Sequence, residues 1–76
     1  MPELNYKEVK TIGIISEKKG WEKKLKLISW NGRPAKYDIR DWSTTDEGTM
    51  SKGITLTREE LAALADLIKD ALEGEE

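Results

Sequence analysis

The sequence contains no cysteine and no histidine. It therefore excludes disulfides, zinc sites built from Cys and His, and catalysis by a thiol or an imidazole. No apolar run approaches the roughly 20 residues that a membrane-spanning helix needs, and residues 1–5 do not resemble a signal peptide. There is no Gly-rich nucleotide-binding motif and no pair of nucleophile and base. We expect a cytoplasmic protein that is not an enzyme, has no membrane segment, and uses no metal or cofactor.

The charge is unevenly distributed along the chain. A length of 76 residues predicts one domain, 1–76, with a thin hydrophobic core. The net charge is −2, yet residues 7–40 hold ten Lys and Arg against four acidic residues. Residues 41–76 hold three basic residues against ten acidic ones. Such asymmetry indicates anion binding by the first half of the chain, and the alternative is an ordinary solvated surface.

The stretch SWNGRPAKYDIRDW at 29–42 predicts a β-hairpin, because it places an Asn-Gly pair between two extended arms. A two-residue loop would put apolar residues opposite charged ones. A three-residue loop pairs Leu27 with Tyr37 and Leu25 with Ile39, which makes one face apolar. We prefer this register, and a five-residue loop would keep the same faces.

The second face of the predicted hairpin combines aromatic and charged residues, and we expect it to point outward. Bases stack on aromatic rings and phosphates pair with cations, so this face suits a nucleic-acid strand. Lys26 lies opposite Asp38, but Lys24 lies opposite Arg40, an unfavourable pair that a bound anion would relieve. Loss of Arg40 is therefore expected to stabilise the free protein slightly. The members of this face are Lys24, Lys26, Ile28, Trp30, Lys36, Asp38, Arg40 and Trp42.

The remaining pattern predicts an α+β fold in the order β-β-β-β-α, with a four-stranded antiparallel sheet. The predicted strands are the second half of 6–16, then 22–30, 35–42 and 50–56. Thr57 and Glu60 form a capping box that starts a helix, and Gly74 ends it.

The helix carries a broad apolar stripe. A single small sheet with one helix makes a marginal monomer, so we expect a homodimer in which the helices pack across the two-fold axis. The alternative is an ordinary small monomer. The predicted interface residues are Leu61, Leu64, Ile68 and Leu72.

The motifs WNGR, YDIRDW and KGITLT, followed by an amphipathic helix, resemble the positive cofactor (transcriptional coactivator) family of single-stranded-DNA-binding proteins. Within it, the small bacterial YdbC-type members are the most similar, over about Lys23 to Leu72. The resemblance implies a four-stranded antiparallel sheet, a C-terminal helix, a homodimer built through the helices, and single-stranded DNA bound along the sheet. The Ser- and Lys-rich N-terminal tail of the eukaryotic members is absent, so coactivation is not carried over.

Individual positions can be matched to the family's hairpin. Trp30 matches its aromatic, Arg33 matches the second basic residue of its turn, and Asn31 replaces the first. Arg40 matches the arginine of the D-I-R motif. Where eukaryotic relatives have an aromatic pair, only Trp42 stands.

We therefore predict a sequence-tolerant single-strand binder, with RNA as an alternative strand and a role in transcription, replication or repair. Lys52 is expected to close the site from the fourth strand, while Lys18 and Lys19 guide phosphates from a turn. The runner-up is a protein-interaction module that presents the same hairpin; its binding would depend less on salt. The predicted binding residues are Lys18, Lys19, Lys24, Lys26, Trp30, Asn31, Arg33, Lys36, Arg40, Trp42 and Lys52.

Overall fold

The computed structural model describes residues 5–74, and the chain ends 1–4 and 75–76 lie outside the described residues. Its four strands form one antiparallel sheet in the order β1-β2-β3-β4, followed by one helix. The predicted β-β-β-β-α fold is confirmed. The elements are β1 (Tyr6–Lys18), β2 (Trp21–Trp30), β3 (Lys36–Ser43), β4 (Ile54–Leu56) and α1 (Arg58–Glu73).

Two strands differ in length from the prediction. β1 begins at Tyr6 and uses the whole of the first apolar segment, not only its second half. β4 is shorter than predicted, because residue Met50 makes only an isolated bridge to Trp42 before the regular strand begins at Ile54.

The register between β2 and β3 is the predicted one, with Leu25 opposite Ile39 and Leu27 opposite Tyr37. The last pair of the ladder is Ile28 with Lys36, so the connection is wider than three residues.

The tip of this connection is a tight turn. Asn31 and Gly32 both have positive φ, 49° and 74°, and the Arg33 N–H donates to the Trp30 carbonyl at 2.9 Å. These are the features of a type I′ turn, which accounts for the Asn-Gly pair.

β1 is an irregular edge strand. It has 13 residues against 10 in β2, and three register shifts leave Val9, Ile12 and Ile15 without a partner. Each shift is a β-bulge, which bends a strand and increases its twist.

The sheet curls strongly. Tyr6 lies opposite Trp30 at one end of β2, and Trp42 lies opposite Glu22, eight residues away along the same strand. In a flat strand eight residues span about 26 Å. The rings of Tyr6 and Trp42 are nevertheless only 5.9 Å apart, centroid to centroid. The face that carries these rings is therefore the inside of the curl.

We call this side the inner face, and it is the face that the sequence predicted to point outward. That expectation is wrong for Lys26 and Trp42, which are 4% and 5% exposed, and Ile28 and Asp38 on the same face are fully buried. The inner face includes Tyr6, Glu8, Glu22, Lys24, Lys26, Ile28, Trp30, Lys36, Asp38, Arg40, Trp42 and Thr55.

The opposite side, the outer face, carries the apolar residues that the sequence assigned to the core. Its central residues are only half-buried in the single chain. Alternation along a strand shows which residues share a face, but it does not show toward which face the sheet curls. The outer face includes Leu25, Leu27, Tyr37, Ile39 and Ile54.

The predicted capping box starts α1. The Glu60 N–H donates to Thr57 Oγ1 at 3.1 Å, and the Thr57 N–H donates to Glu60 Oε1 at 2.8 Å. The helix ends at the cap residue Gly74 and contacts the sheet through β3 and β4. None of its residues is buried, and Leu67 and Leu72 are more than half exposed. In the part of the chain that the structure describes, no helix is long and apolar enough to cross a membrane.

Candidate nucleic-acid interface

The inner face contains two stacked pairs of a cation and an indole. The Lys26 Nζ lies 3.6 Å from the ring centroid of Trp42, and the Arg40 Cζ lies 4.7 Å from the ring centroid of Trp30. Tyr6 joins the two pairs, with its ring 5.3 Å from Trp30 and 5.9 Å from Trp42. Cations placed over aromatic faces attract the ring electrons and hold the rings in place.

The cations on the inner face pair with carboxylates of the same chain. Lys26 Nζ lies 2.7 Å from Glu8 Oε1, and Lys24 Nζ lies 3.3 Å from Glu22 Oε1. The predicted partner of Lys26 was Asp38, directly opposite, but in the structure it is Glu8.

Asp38 instead binds Arg40 in a bidentate pair. Arg40 Nε and one terminal nitrogen donate to the two carboxylate oxygens, each at 2.6 Å. Thr55 Oγ1 donates to the same carboxylate at 3.2 Å. The predicted repulsion between Lys24 and Arg40 is therefore compensated within the chain, because Lys24 pairs with Glu22 and Arg40 pairs with Asp38. The expectation that loss of Arg40 stabilises the free protein is wrong, because it would leave the fully buried Asp38 without its counter-charge.

The approach of residue 53 to β3 explains a glycine in KGITLT. A Cβ on Gly53 would overlap the Ile39 carbonyl oxygen and the Arg40 Cβ. Only glycine permits this approach, which brings the following strand close enough for Thr55 to reach Asp38.

Both indole N–H groups of the inner face are unused donors. Trp30 Nε1 and Trp42 Nε1 are buried and have no hydrogen-bond acceptor among residues 5–74. Buried donors are normally paired, so these two indole N–H groups are exceptions within the inner face.

A cleft of about 370 Å³ opens on the inner face beside Trp42. This volume lies within the range of small-ligand pockets and is large enough for part of a nucleotide strand. Its walls come from β1, β2, the end of β3 and the loop that follows, and they include Tyr6, Glu8, Thr11, Lys24, Lys26, Trp42 and Glu47.

The structure brings some of the predicted site residues together and leaves the others apart. Lys24, Lys26, Trp30, Arg40 and Trp42 come together on the inner face, with Lys36 exposed at its margin.

Asn31 and Arg33 lie at the exposed hairpin tip, where Asn31 Oδ1 accepts from the Asn5 N–H at 3.3 Å. Lys52 is exposed between β3 and β4. Lys18 lies apart, in a hollow of about 220 Å³ that it lines with Trp21, Asp41 and Ser51, and Lys19 is exposed in the β1–β2 turn.

Sequence reasoning missed Tyr6 and Glu8. Their signal is the pairing of the start of β1 with the end of β2, which places Tyr6 opposite Trp30 and Glu8 opposite Ile28. The three bulges remove the alternation that would have revealed this pairing.

Comparison with known proteins identifies the family. The model of the family Transcriptional Coactivator p15 (PC4) matches residues 17–67, from the end of β1 into α1. The chain is also 51% identical over 67 residues to an uncharacterized protein of Treponema pallidum (strain Nichols), with 87% of this chain and 78% of that protein covered. The predicted resemblance is confirmed, and the chain belongs to the Transcriptional Coactivator p15 (PC4) family, a family of non-enzymatic proteins that bind single-stranded DNA.

Proposed function

We propose that this protein binds single-stranded DNA on its inner face with little sequence preference. The observation that carries the proposal is the convergence of two indoles with Lys26 and Arg40 on one face, where Lys26 and Trp42 also line an open cleft. An indole offers its surface to any base, and all phosphates are alike to a cation, so such a site does not depend on sequence.

The structure suggests a division of work within the site. Trp30 is half-buried and retains surface for a base, whereas Trp42 is nearly buried and forms the floor. Lys24, Lys26 and Arg40 face the strand as phosphate contacts. Arg33, Lys36 and Lys52 are exposed and extend the positive surface beyond the cleft, with Asn31 at the hairpin tip. Lys18 and Lys19 would contact only a strand that continues around the β1–β2 turn.

The same chemistry admits RNA. Stacking and phosphate pairing do not involve the 2′-hydroxyl group, which is the group that distinguishes RNA from DNA. We therefore propose DNA as the main partner in transcription, replication or repair, with RNA bound by the same residues. The cytoplasmic location stays a prediction.

We further propose that the active form is a homodimer. No residue of α1 is buried in one chain, and of its predicted interface residues Leu61 and Leu64 are half-buried while Ile68 and Leu72 are exposed. Packing this stripe against a second copy would remove apolar surface from water. It would also place two inner faces in one assembly, so that a long strand gains affinity by occupying both.

The binding proposal is tested by titrating the protein with oligo-dT, oligo-rU and a duplex of equal length at several salt concentrations. We expect single strands to bind more tightly than duplex. We also expect log affinity to fall against log salt by about 0.7 for each phosphate contact. Absence of single-strand binding at low salt would overturn the proposal, and salt-independent binding of a protein partner would favour the interaction module.

The dimer proposal is tested by light scattering of the wild type and Leu72→Asp at micromolar concentration. Because Leu72 is 62% exposed in the single chain, the substitution should leave the monomer fold intact and halve the mass. A monomeric wild type, or a variant that remains dimeric, would contradict a dimer built through this stripe.

A further inference from the structure

Two carboxylates of the inner face hold their cations in different ways. Asp38 is fully buried and accepts hydrogen bonds from Arg40 and Thr55, so it is fixed in place. The side chain of Glu8 is 43% exposed and lies on the bulged edge strand β1, although the Lys26 side chain that it contacts is only 5% exposed. One acid is therefore part of the core, and the other is accessible to solvent.

We propose that Glu8 is an affinity-setting residue: in the free protein it occupies the position of a strand phosphate at Lys26, and strand binding exchanges the carboxylate for the phosphate. This inference rests on the proposed function. Glu8 Oε1 lies 2.7 Å from Lys26 Nζ, the distance at which a phosphate oxygen would bind the same ammonium group.

The surroundings of the pair permit such an exchange. Glu8 and Lys26 both line the 370 Å³ cleft, so an incoming phosphate can approach the ammonium group from the open side. Glu8 is followed by the unpaired residue Val9, and an edge strand interrupted in this way can adjust locally. The released carboxylate moves into water, where it is already partly exposed, and the buried ammonium group is never left without an anion.

Asp38 cannot take part in such an exchange. Its release would leave the fully buried Asp38 carboxylate without a counter-charge inside the curl, at a high cost in free energy. Glu8 also lies outside the segment 17–67 that matches the family model.

The exchange favours polymers over single ions. A free phosphate ion must displace Glu8 by one contact alone, whereas a strand does so while it makes several other contacts. Displacing Glu8 lowers the affinity for a free ion and for a strand by the same factor, but only the strand has other contacts that keep it bound.

The experiment compares Glu8→Gln and Glu8→Asp with the wild type by titration with oligo-dT at fixed salt. Glu8→Gln removes the charge, and Glu8→Asp keeps it but shortens the side chain by one methylene, which breaks the close contact. We expect both variants to bind about two- to fivefold more tightly than the wild type, the range expected from loss of a partly exposed ion pair. Asp66→Asn, on the exposed surface of α1, is the matched charge control and should change affinity less than about twofold.

Each other outcome has a distinct meaning. If Glu8→Gln binds more tightly but Glu8→Asp binds as the wild type does, the negative charge at this position repels the strand without contacting Lys26, and the exchange is overturned. If both variants bind more weakly, Glu8 positions Lys26 for the strand, and the exchange is again overturned. If no protein binds oligo-dT at low salt, the proposed function itself fails.

A second measurement uses the unaltered protein. The carboxyl carbon of Glu8, observed by NMR, should move toward the value of a solvated glutamate when oligo-dT is added. An unchanged resonance in the bound state would overturn the exchange even if the variants did not fold.

Discussion

The two faces of the sheet contrast in composition and in burial. The inner face is charged and aromatic, yet it contains every described residue that is buried in the single chain. The outer face and one stripe of the helix are apolar, yet Ile54, Leu67 and Leu72 are more than half exposed. Curvature has therefore reversed the usual relation between hydrophobicity and burial.

The two faces are also unequal in completeness. On the inner face Lys24, Lys26 and Arg40 each have a carboxylate partner, and the rings pack against each other within one chain. The apolar surface of α1 has no comparable set of contacts, since no residue of α1 is buried in the single chain. The inner face thus makes its contacts within one chain, whereas the apolar stripe of α1 is the surface that the proposed second copy would cover.

The largest effect should follow from breaking the buried ion pair of the inner face. Asp38→Ala leaves the Arg40 guanidinium group without its bidentate partner, which should lower the free energy of unfolding by about 3–5 kcal/mol. Urea denaturation measures the loss. Asp41→Ala is the control, because Asp41 lies 4.0 Å from Lys23 at the surface and its removal should cost less than about 1 kcal/mol. Equal losses for the two variants would mean that the inner face is no core.

A tryptophan on each face permits a matched comparison of binding. Trp30→Ala removes an inner-face ring and should weaken oligo-dT binding about five- to hundred-fold, the cost of one stacked base. Trp21→Ala removes a ring that is 37% exposed and lies in the hollow with Lys18, so the affinity should change little. Fluorescence anisotropy at fixed salt gives both values. A larger loss of affinity for Trp21→Ala than for Trp30→Ala would mean that the DNA strand binds on the outer face.

The smallest effect concerns the start of α1. Thr57→Ala removes the side-chain acceptor for the Glu60 N–H and should cost about 1 kcal/mol of stability. Thr44→Ala, in an exposed loop, is the control and should leave the melting temperature nearly unchanged. DNA affinity well below the melting temperature should be the same in both variants. Equal melting temperatures would show that the cap contributes nothing measurable.

Features that depend on neighbouring residues could be predicted from the sequence. The capping box of Thr57 and Glu60 and the opposition of Leu27 to Tyr37 follow from local chemistry and from alternation, and both are found. Of the motifs that carry the family resemblance, YDIRDW lies within β3, whereas WNGR spans the hairpin turn.

Features that depend on the path of the whole sheet could not be predicted. The direction of the curl decides whether Lys26 and Trp42 are buried, and no local pattern encodes it. The contact of Glu8 with Lys26 joins residues 18 positions apart across a strand pair whose bulges conceal the register.

The three bulges of β1 have a consequence for the length of the chain. Three additional residues supply about 10 Å of extended backbone, at about 3.3 Å for each residue. With them, one strand can pair with Trp21 at one end of β2 and still carry Tyr6 to Trp30 at the other. Val9, Ile12 and Ile15 thus serve the inner face by the path length that they add, because none of them is paired with β2. Because each of them opposes no residue of β2, deleting one would remove a bulge and its bend while Tyr6 could keep its place opposite Trp30, so these positions set the curvature around the site and not its register.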